Sequence, residues 1–260
     1  MTSTSIDQPT GEQEAWTFVS SKRTNGAKKK AATQLRRPPS VPLRQGTESS
    51  GLSVAQVQSD HERIKKQWLE SSSYRRLKEL MASQCLYPPV AKAICLGLGS
   101  FDPADGSWQS KRRAHVQFAA FVTMVESLRE QSKGPVQCYF QDPCFSETDK
   151  EFLSEFDCQI VDTPAGFEMV TENSLLVGIH LYRGIYSRAI EKCVPAMFVG
   201  TDYDTWESCG SLDWAKMKEL DEACDKAKFP QDEEFYPAFT NTTIHWRRSS
   251  EGEIAKESPS

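Results

Sequence analysis

From Ser53 onward, Val54, Val57, His61, Ile64 and Trp68 recur at three- and four-residue steps, the spacing of one helical face. Ser53 stands where an N-cap belongs, since its hydroxyl can accept from the free N–H groups of a first turn. The run Ser71, Ser72, Ser73 interrupts the stripe, and Tyr74, Leu77, Leu80 and Met81 carry a second one until Pro88 and Pro89 stop it. Two helices are therefore expected over 51–84.

Beyond the prolines, short apolar runs alternate with amphipathic segments, the pattern of parallel strands joined by crossover helices. Strands are expected at 91–98, 136–141, 159–162, 174–179 and 196–200. Helices are expected at about 111–131, 147–156 and 182–193, with another near 212–227. The right-handed crossover rule turns this order into an open, mostly parallel sheet of about five strands covered on both faces. The fold class is thus α/β: a three-layer Rossmann-like domain over 85–246, preceded by two helices.

Composition adds the ends. Residues 1–50 are rich in Ser, Thr, Gln and Pro and hold eight Lys or Arg against four Asp or Glu, so this stretch reads as a disordered basic tail. Residues 247–260 read as a second disordered tail. The net charge of -5 conceals the contrast, because the first 50 residues carry +4 and the rest -9. An acidic body disfavours nucleic-acid binding through the folded domain, which leaves that role only to the segment from Lys22 to Arg44. The same segment reads as an import element, an anionic-surface contact or a solvated linker.

No apolar run approaches the ~20 residues of a spanning helix, and no secretory signal opens the chain, so a cytoplasmic or nuclear location is expected. Eight cysteines occur, none in a CxxC pair, and they read as reduced, mostly buried thiols with no metal site.

The segment AKAICLGLGSFDP, residues 91–103, is the strongest local signal for a site. An apolar strand ends in Gly97, Leu98, Gly99 and Ser100, and glycines there let backbone N–H groups approach a phosphate. The third glycine of a dinucleotide fingerprint would fall on Asp102, whose charge opposes a pyrophosphate. The turn therefore serves either a ligand or tight strand-to-loop geometry.

Asp142, in QDPCF, places a carboxylate at the end of the second strand, where related architectures bind ribose hydroxyls; before Pro143 it also suits a turn. His180 and Tyr186 follow the fourth strand, and Gly200 and Asp202 end the fifth. Gly97, Gly99, Ser100, Asp142, His180, Tyr186, Gly200 and Asp202 are the ligand-binding candidates, expected to gather at the carboxyl edge of the sheet. His180 is the one acid–base candidate. No GxSxG, GxxxxGK[ST] or HExxH motif accompanies them, so the sequence supports a pocket better than a reaction.

Taken in order, these motifs resemble the Sensitivity-to-Red-light-Reduced-like (SRR-like) family. CLGLGS resembles its opening strand and loop, Gln117 its glutamine helix, and QDPCF its strand-ending DP. His180 and Tyr186 match the His and Tyr of its MPHC…LY segment, Gly200 the glycine of its GNS, and AFTNTTIHW its closing stretch. Trp16, Thr17 and Val19 are similar to a short element ahead of its basic residues. Ile179 and Leu181 replace the family's Pro and Cys, and Thr201 and Asp202 its Asn and Ser.

The resemblance implies regulation, since the family is associated with light and circadian signalling in plants and with growth phenotypes in fungi, and a fungal source is expected. The expected function is a regulatory or interaction protein with an unknown protein partner and a small ligand sensed at the sheet edge. The alternative is an enzyme binding a nucleotide or S-adenosylmethionine. The cofactor is unknown.

Overall fold

The computed structural model describes residues 50–84, 86, 88–207 and 215–248. The segment from Lys22 to Arg44, Cys85, Cys209 and residues 249–260 lie outside the described residues.

Two helices come first, α1 (Val54–Glu70) and α2 (Ser72–Ser83). Ser53 caps α1 in a capping box: its hydroxyl accepts from the Gln56 N–H, and Gln56 Oε1 accepts from the Ser53 N–H at 2.9 Å. One residue then both closes α1 and opens α2. The Ser71 hydroxyl donates to the Trp68 carbonyl at 2.6 Å and accepts from the Tyr74 N–H at 3.0 Å.

The α/β body follows as β1 (Lys92–Leu96), α3 (Trp108–Ser132), β2 (Gln137–Gln141), α4 (Glu147–Ser154), β3 (Cys158–Ile160), α5 (Ala165–Glu168), β4 (Ser174–Gly178), α6 (Arg183–Ala189) and β5 (Met197–Thr201). It ends with α7 (Tyr203–Glu207), α8 (Ala215–Ala223), β6 (Cys224–Lys228), α9 (Tyr236–Phe239) and β7 (Thr242–Arg247). Among the described residues no helix is long and apolar enough to cross a membrane.

Among the described residues the sheet has seven strands in the order β3-β2-β1-β4-β5-β7-β6, not about five. The first five are parallel, and β7 runs antiparallel between β5 and β6. The segment expected as helix to 227 is helical only to Ala223, and β6 begins at Cys224. Asp, Lys and Ala in CDKAK are weak strand formers, but pairing with β7 overrides that preference. The helix expected over 182–193 is the shorter α6, ended at Ala189.

Side chains alternate across the sheet as the strand period requires. Ala93, Cys95, Cys138, Phe140, Leu175, Val177, Met197 and Val199 join α1, α2, α3, α4 and α9 in one core. Ile94, Leu96, Tyr139, Leu176 and Phe198 join α5, α6 and α8 in the other. On the first face α3 is buried continuously from Ala114 to Phe121, because the sheet lies beneath it and α1 and α2 lie on top. Helices apolar on every side occur where both sides are covered. Trp68 pins the outer layer: it is fully buried among Tyr74, Phe235 and Phe239, and its indole N–H donates to Thr123 Oγ1 at 3.0 Å.

Cysteines vary more in burial than expected, with Cys95, Cys138 and Cys224 buried, Cys158 and Cys193 half-buried and Cys144 exposed.

Between α1 and α3 sit two buried histidines, His61 and His115, their ring centroids 5.6 Å apart and enclosed by Phe101, Phe118, Phe152 and Phe156. His61 Nδ1 and both ring nitrogens of His115 lack hydrogen-bond partners. Burial pulls their pKa values from 6.5 to about 4 for His61 and about 3 for His115. The unfolded chain therefore binds protons that the folded one refuses, so stability is whole above about pH 6.5 and is lost as pH falls towards 4. Each histidine should contribute about 1.4 kcal/mol per pH unit in that window. Urea unfolding between pH 7 and pH 4.5 should show a steep loss for the parent and a shallower one for His61→Phe/His115→Phe.

Candidate functional site

The strand order reverses between β1 and β4, and open α/β sheets bind ligands in the crevice at such a point, outside the carboxyl ends of the strands. Gly97 leaves β1 with φ +65° and donates its N–H to the Gln141 carbonyl at 2.9 Å. Gly99 has φ +85° and donates to Asp142 Oδ2 at 2.7 Å. The other carboxylate oxygen, Oδ1, accepts from the Cys144 N–H at 2.7 Å. Burial pushes the Asp142 pKa up, against the pull of these two N–H groups. Asp142 thus ties the β1 loop to its own turn.

Ser100 is likewise engaged, donating to Asp149 Oδ2 at 2.7 Å. Asp149 is fully buried at the start of α4 and also accepts from the N–H groups of Phe101 and Ser146, both at 2.8 Å. Asp102, at the place of a third fingerprint glycine, accepts from the Gly51 N–H at 3.2 Å, the Leu52 N–H at 3.0 Å and the Ser50 hydroxyl. It anchors the chain entering α1.

On the β4 side, His180 adopts the left-handed conformation, φ +58°, which is uncommon outside glycine though His is enriched there. Its Nε2 lies 2.8 Å from the Thr240 carbonyl, the arrangement of a protonated Nε2 as donor. The residue is exposed overall, yet the water its ring loses against the chain pulls its pKa below the ordinary value, opposed by the Thr240 carbonyl.

The next residue decides the shape of the crevice. A Cβ on Gly97 would stand 2.1 Å from Leu181 Cδ2, and one on Gly178 would stand 2.6 Å from Leu181 Cδ1. The Leu181 side chain therefore fills the switch point between the ends of β1 and β4. Behind it, the fully buried Tyr186 hydroxyl donates to the Gly178 carbonyl at 2.6 Å and lies 3.4 Å from the Leu181 N–H and 3.3 Å from the Thr201 N–H. Gly200 has no room for a side chain, since its Cβ would meet Phe198 Cζ at 2.5 Å and the Gly178 carbonyl oxygen at 2.8 Å.

Asp202, just past β5, is turned to the antiparallel strands: it accepts from Thr243 Oγ1 at 3.1 Å, the Thr205 N–H at 2.9 Å and the Lys228 ammonium. Burial alone would raise its pKa, but Lys228 and Thr205 outweigh that and hold it well below the usual carboxylate range.

The hydrogen bonds and contacts of the eight candidates fall into separate groups. Gly99 meets Asp142; Gly97, Tyr186 and Gly200 surround Leu181 and Gly178; Ser100, His180 and Asp202 each serve another element. Leu181, Gly178 and Asp149 were not among the candidates, although Leu181 was visible as a departure at a loop position. Among the described residues no group of three ligating side chains could hold a metal ion.

A family model of the SRR1 domain matches residues 65–246. The chain belongs to the SRR1-domain family. No curated protein matches it. Among solved structures, a Geobacter sulfurreducens methyltransferase is similar with a TM-score of 0.38 and 8% identity, over 75% of this chain and 89% of that one. A chain from the complex of the Haloferax volcanii Trm112 methyltransferase activator is similar with a TM-score of 0.34 and 12% identity, over 76% and 99%. Likenesses of this size carry no statement about the activity of the SRR1 domain.

The fit of Leu181 against two glycines can be measured. Gly97→Ala should destabilise strongly, from steric overlap and from a positive φ that alanine disfavours. The overlap, unlike the φ cost, should vanish when Leu181 is shortened. In a denaturant double-mutant cycle, Gly97→Ala should cost less on a Leu181→Ala background than on the parent, by about 0.5–3 kcal/mol.

Proposed function

We propose that this chain acts as a regulatory or interaction protein through its SRR1 domain, with the carboxyl edge of the sheet built as a structural joint and not as a reaction centre. The observation that carries this reading is the Leu181 side chain lodged between Gly97 and Gly178, in the space a ligand would need. The two backbone N–H groups bound by Asp142 support it, because each already engages one of its carboxylate oxygens in holding the loop. In this reading the protein works inside the cell, in the cytoplasm or the nucleus. Its basic arm serves import or partner contact, and light or circadian signalling enters by analogy with the family alone.

A second reading is favoured by a specific observation: two glycines of positive φ and a carboxylate do stand side by side at the topological switch point. Here the site binds a nucleotide or S-adenosylmethionine after Leu181 moves aside, with Gly97, Gly99, Asp142 and His180 as contacts.

Thermal shift on the full chain separates the two. A ligand at about 100 times its dissociation constant adds roughly 2.7 kcal/mol, on the order of 5–11 °C for a domain of this size. S-adenosylmethionine, NAD, ATP and haem should each leave the parent's melting temperature unchanged. A rise with any of them that a folded Asp142→Ala variant abolishes would replace the first reading with the second.

A further inference from the structure

Cys138 and Cys158 are register partners on adjacent parallel strands, β2 and β3. Partners in a parallel ladder point to the same face, and both side chains belong to the α3 and α4 core. Neighbouring strands lie about 4.8 Å apart, inside the ~4.4–6.8 Å range of Cα separations that a disulfide spans. β3 is an edge strand of three residues, so the pair sits at the border of the sheet and not in its middle.

The surroundings distinguish the two sulfurs. The Cys158 thiol donates to the Phe156 carbonyl at 2.7 Å. Arg129 Nη2 approaches Cys138 Sγ to 4.0 Å and also faces Asp157 at 3.8 Å. The neighbouring Cys158 thiol, followed by the Arg129 charge, lowers the Cys138 pKa, whereas the Cys138 neighbour and burial push Cys158 up. Cys138 is the thiol that ionises first. It is also nearly closed to solvent, so only a small oxidant reaches it.

We infer that Cys138 and Cys158 form a reversible dithiol–disulfide pair that responds to a hydroperoxide. The Cys138 thiolate attacks one peroxide oxygen; the O–O bond breaks, sulfur is oxidised to sulfenic acid, and the leaving hydroxide takes up the proton that Cys138 had released. The Cys158 sulfur then attacks Cys138 Sγ, the S–O bond breaks, and the hydroxyl departs as water with the Cys158 proton. Two thiols and one hydrogen peroxide thus give one disulfide and two waters, and a dithiol reductant reverses the change. The product staples the edge strand to β2, whose last residue, Gln141, accepts the Gly166 N–H at 2.8 Å from the start of α5. The switch stands apart from the ligand question at the β1–β4 crevice.

Full-length protein treated with equimolar hydrogen peroxide, then alkylated and digested without reductant, tests this by mass spectrometry. The expected result is a linked Cys138–Cys158 peptide lighter by two hydrogen atoms than its reduced halves, with joint loss of both alkylated forms and full return on dithiothreitol treatment. Cys144→Ser, which removes the exposed thiol, should leave the yield unchanged. Cys158→Ser should replace the linked peptide with a dimedone adduct on Cys138. Linkage of either residue to a different cysteine, or oxidation of Cys144 with no Cys138–Cys158 link in either the parent or Cys144→Ser, would overturn the assignment.

Discussion

Everything on one side of this molecule depends on covering α3 from both sides. From Ala114 to Phe121 the helix presents no surface that water could share, so a sheet alone would leave half of it exposed. The helices α1 and α2 complete the burial, and their cost in conformational entropy is met by Trp68, Ile64, Leu77 and Met81, all withdrawn from solvent. The same demand explains the polar fittings between layers. Gln117 Nε2 donates to the Ala238 carbonyl at 2.8 Å, holding α9 against α3 from a position that would otherwise be an unpaired amide. The helical lead-in is thus an integral outer layer of the α/β core.

The rim of the sheet follows a related logic on a smaller scale. Its charged and polar groups are each satisfied by neighbouring backbone: Asp142 by Gly99 and Cys144, Asp149 by Phe101 and Ser146, and Tyr186 by Gly178 and Thr201. Such closed networks stiffen strand ends, because losing one partner strands another in a place water reaches poorly. The apolar Leu181 completes the closure where the polar groups stop. Positive φ at His180 is the local cost of turning its neighbour inward.

Much of this was legible in the sequence. The five parallel strands and the paired helices followed from period and punctuation, and Ser53 and the serine run marked helix ends by their chemistry. The last two strands were not legible for two different reasons. Strand β6 is spelled mostly with residues that avoid strands, and only its partner makes it a strand. In β7, Thr242 to Trp246 are all buried because strands flank it on both sides and helices cover both faces, so no alternation betrays it. The positions of Gly97, Gly99 and Asp142 at one edge were foreseeable from topology. What filled the space between them was not, since Leu181 reads as an ordinary loop leucine until the two glycines that receive it are brought together.

The sheet's strand order has a further consequence for how the chain must be assembled. β6 is synthesised before β7 yet lies outside it, separated from β5 by a strand that the ribosome has not yet released. Until Thr242–Arg247 emerges, β5 keeps an open edge and β6 has nothing to join. The five-stranded parallel half can form during translation, but the final two strands must be installed together, once Thr242–Arg247 has emerged. A nascent chain stalled ahead of this last insertion would hold a bare hydrogen-bonding edge, the feature that invites pairing with other chains and recruits chaperones.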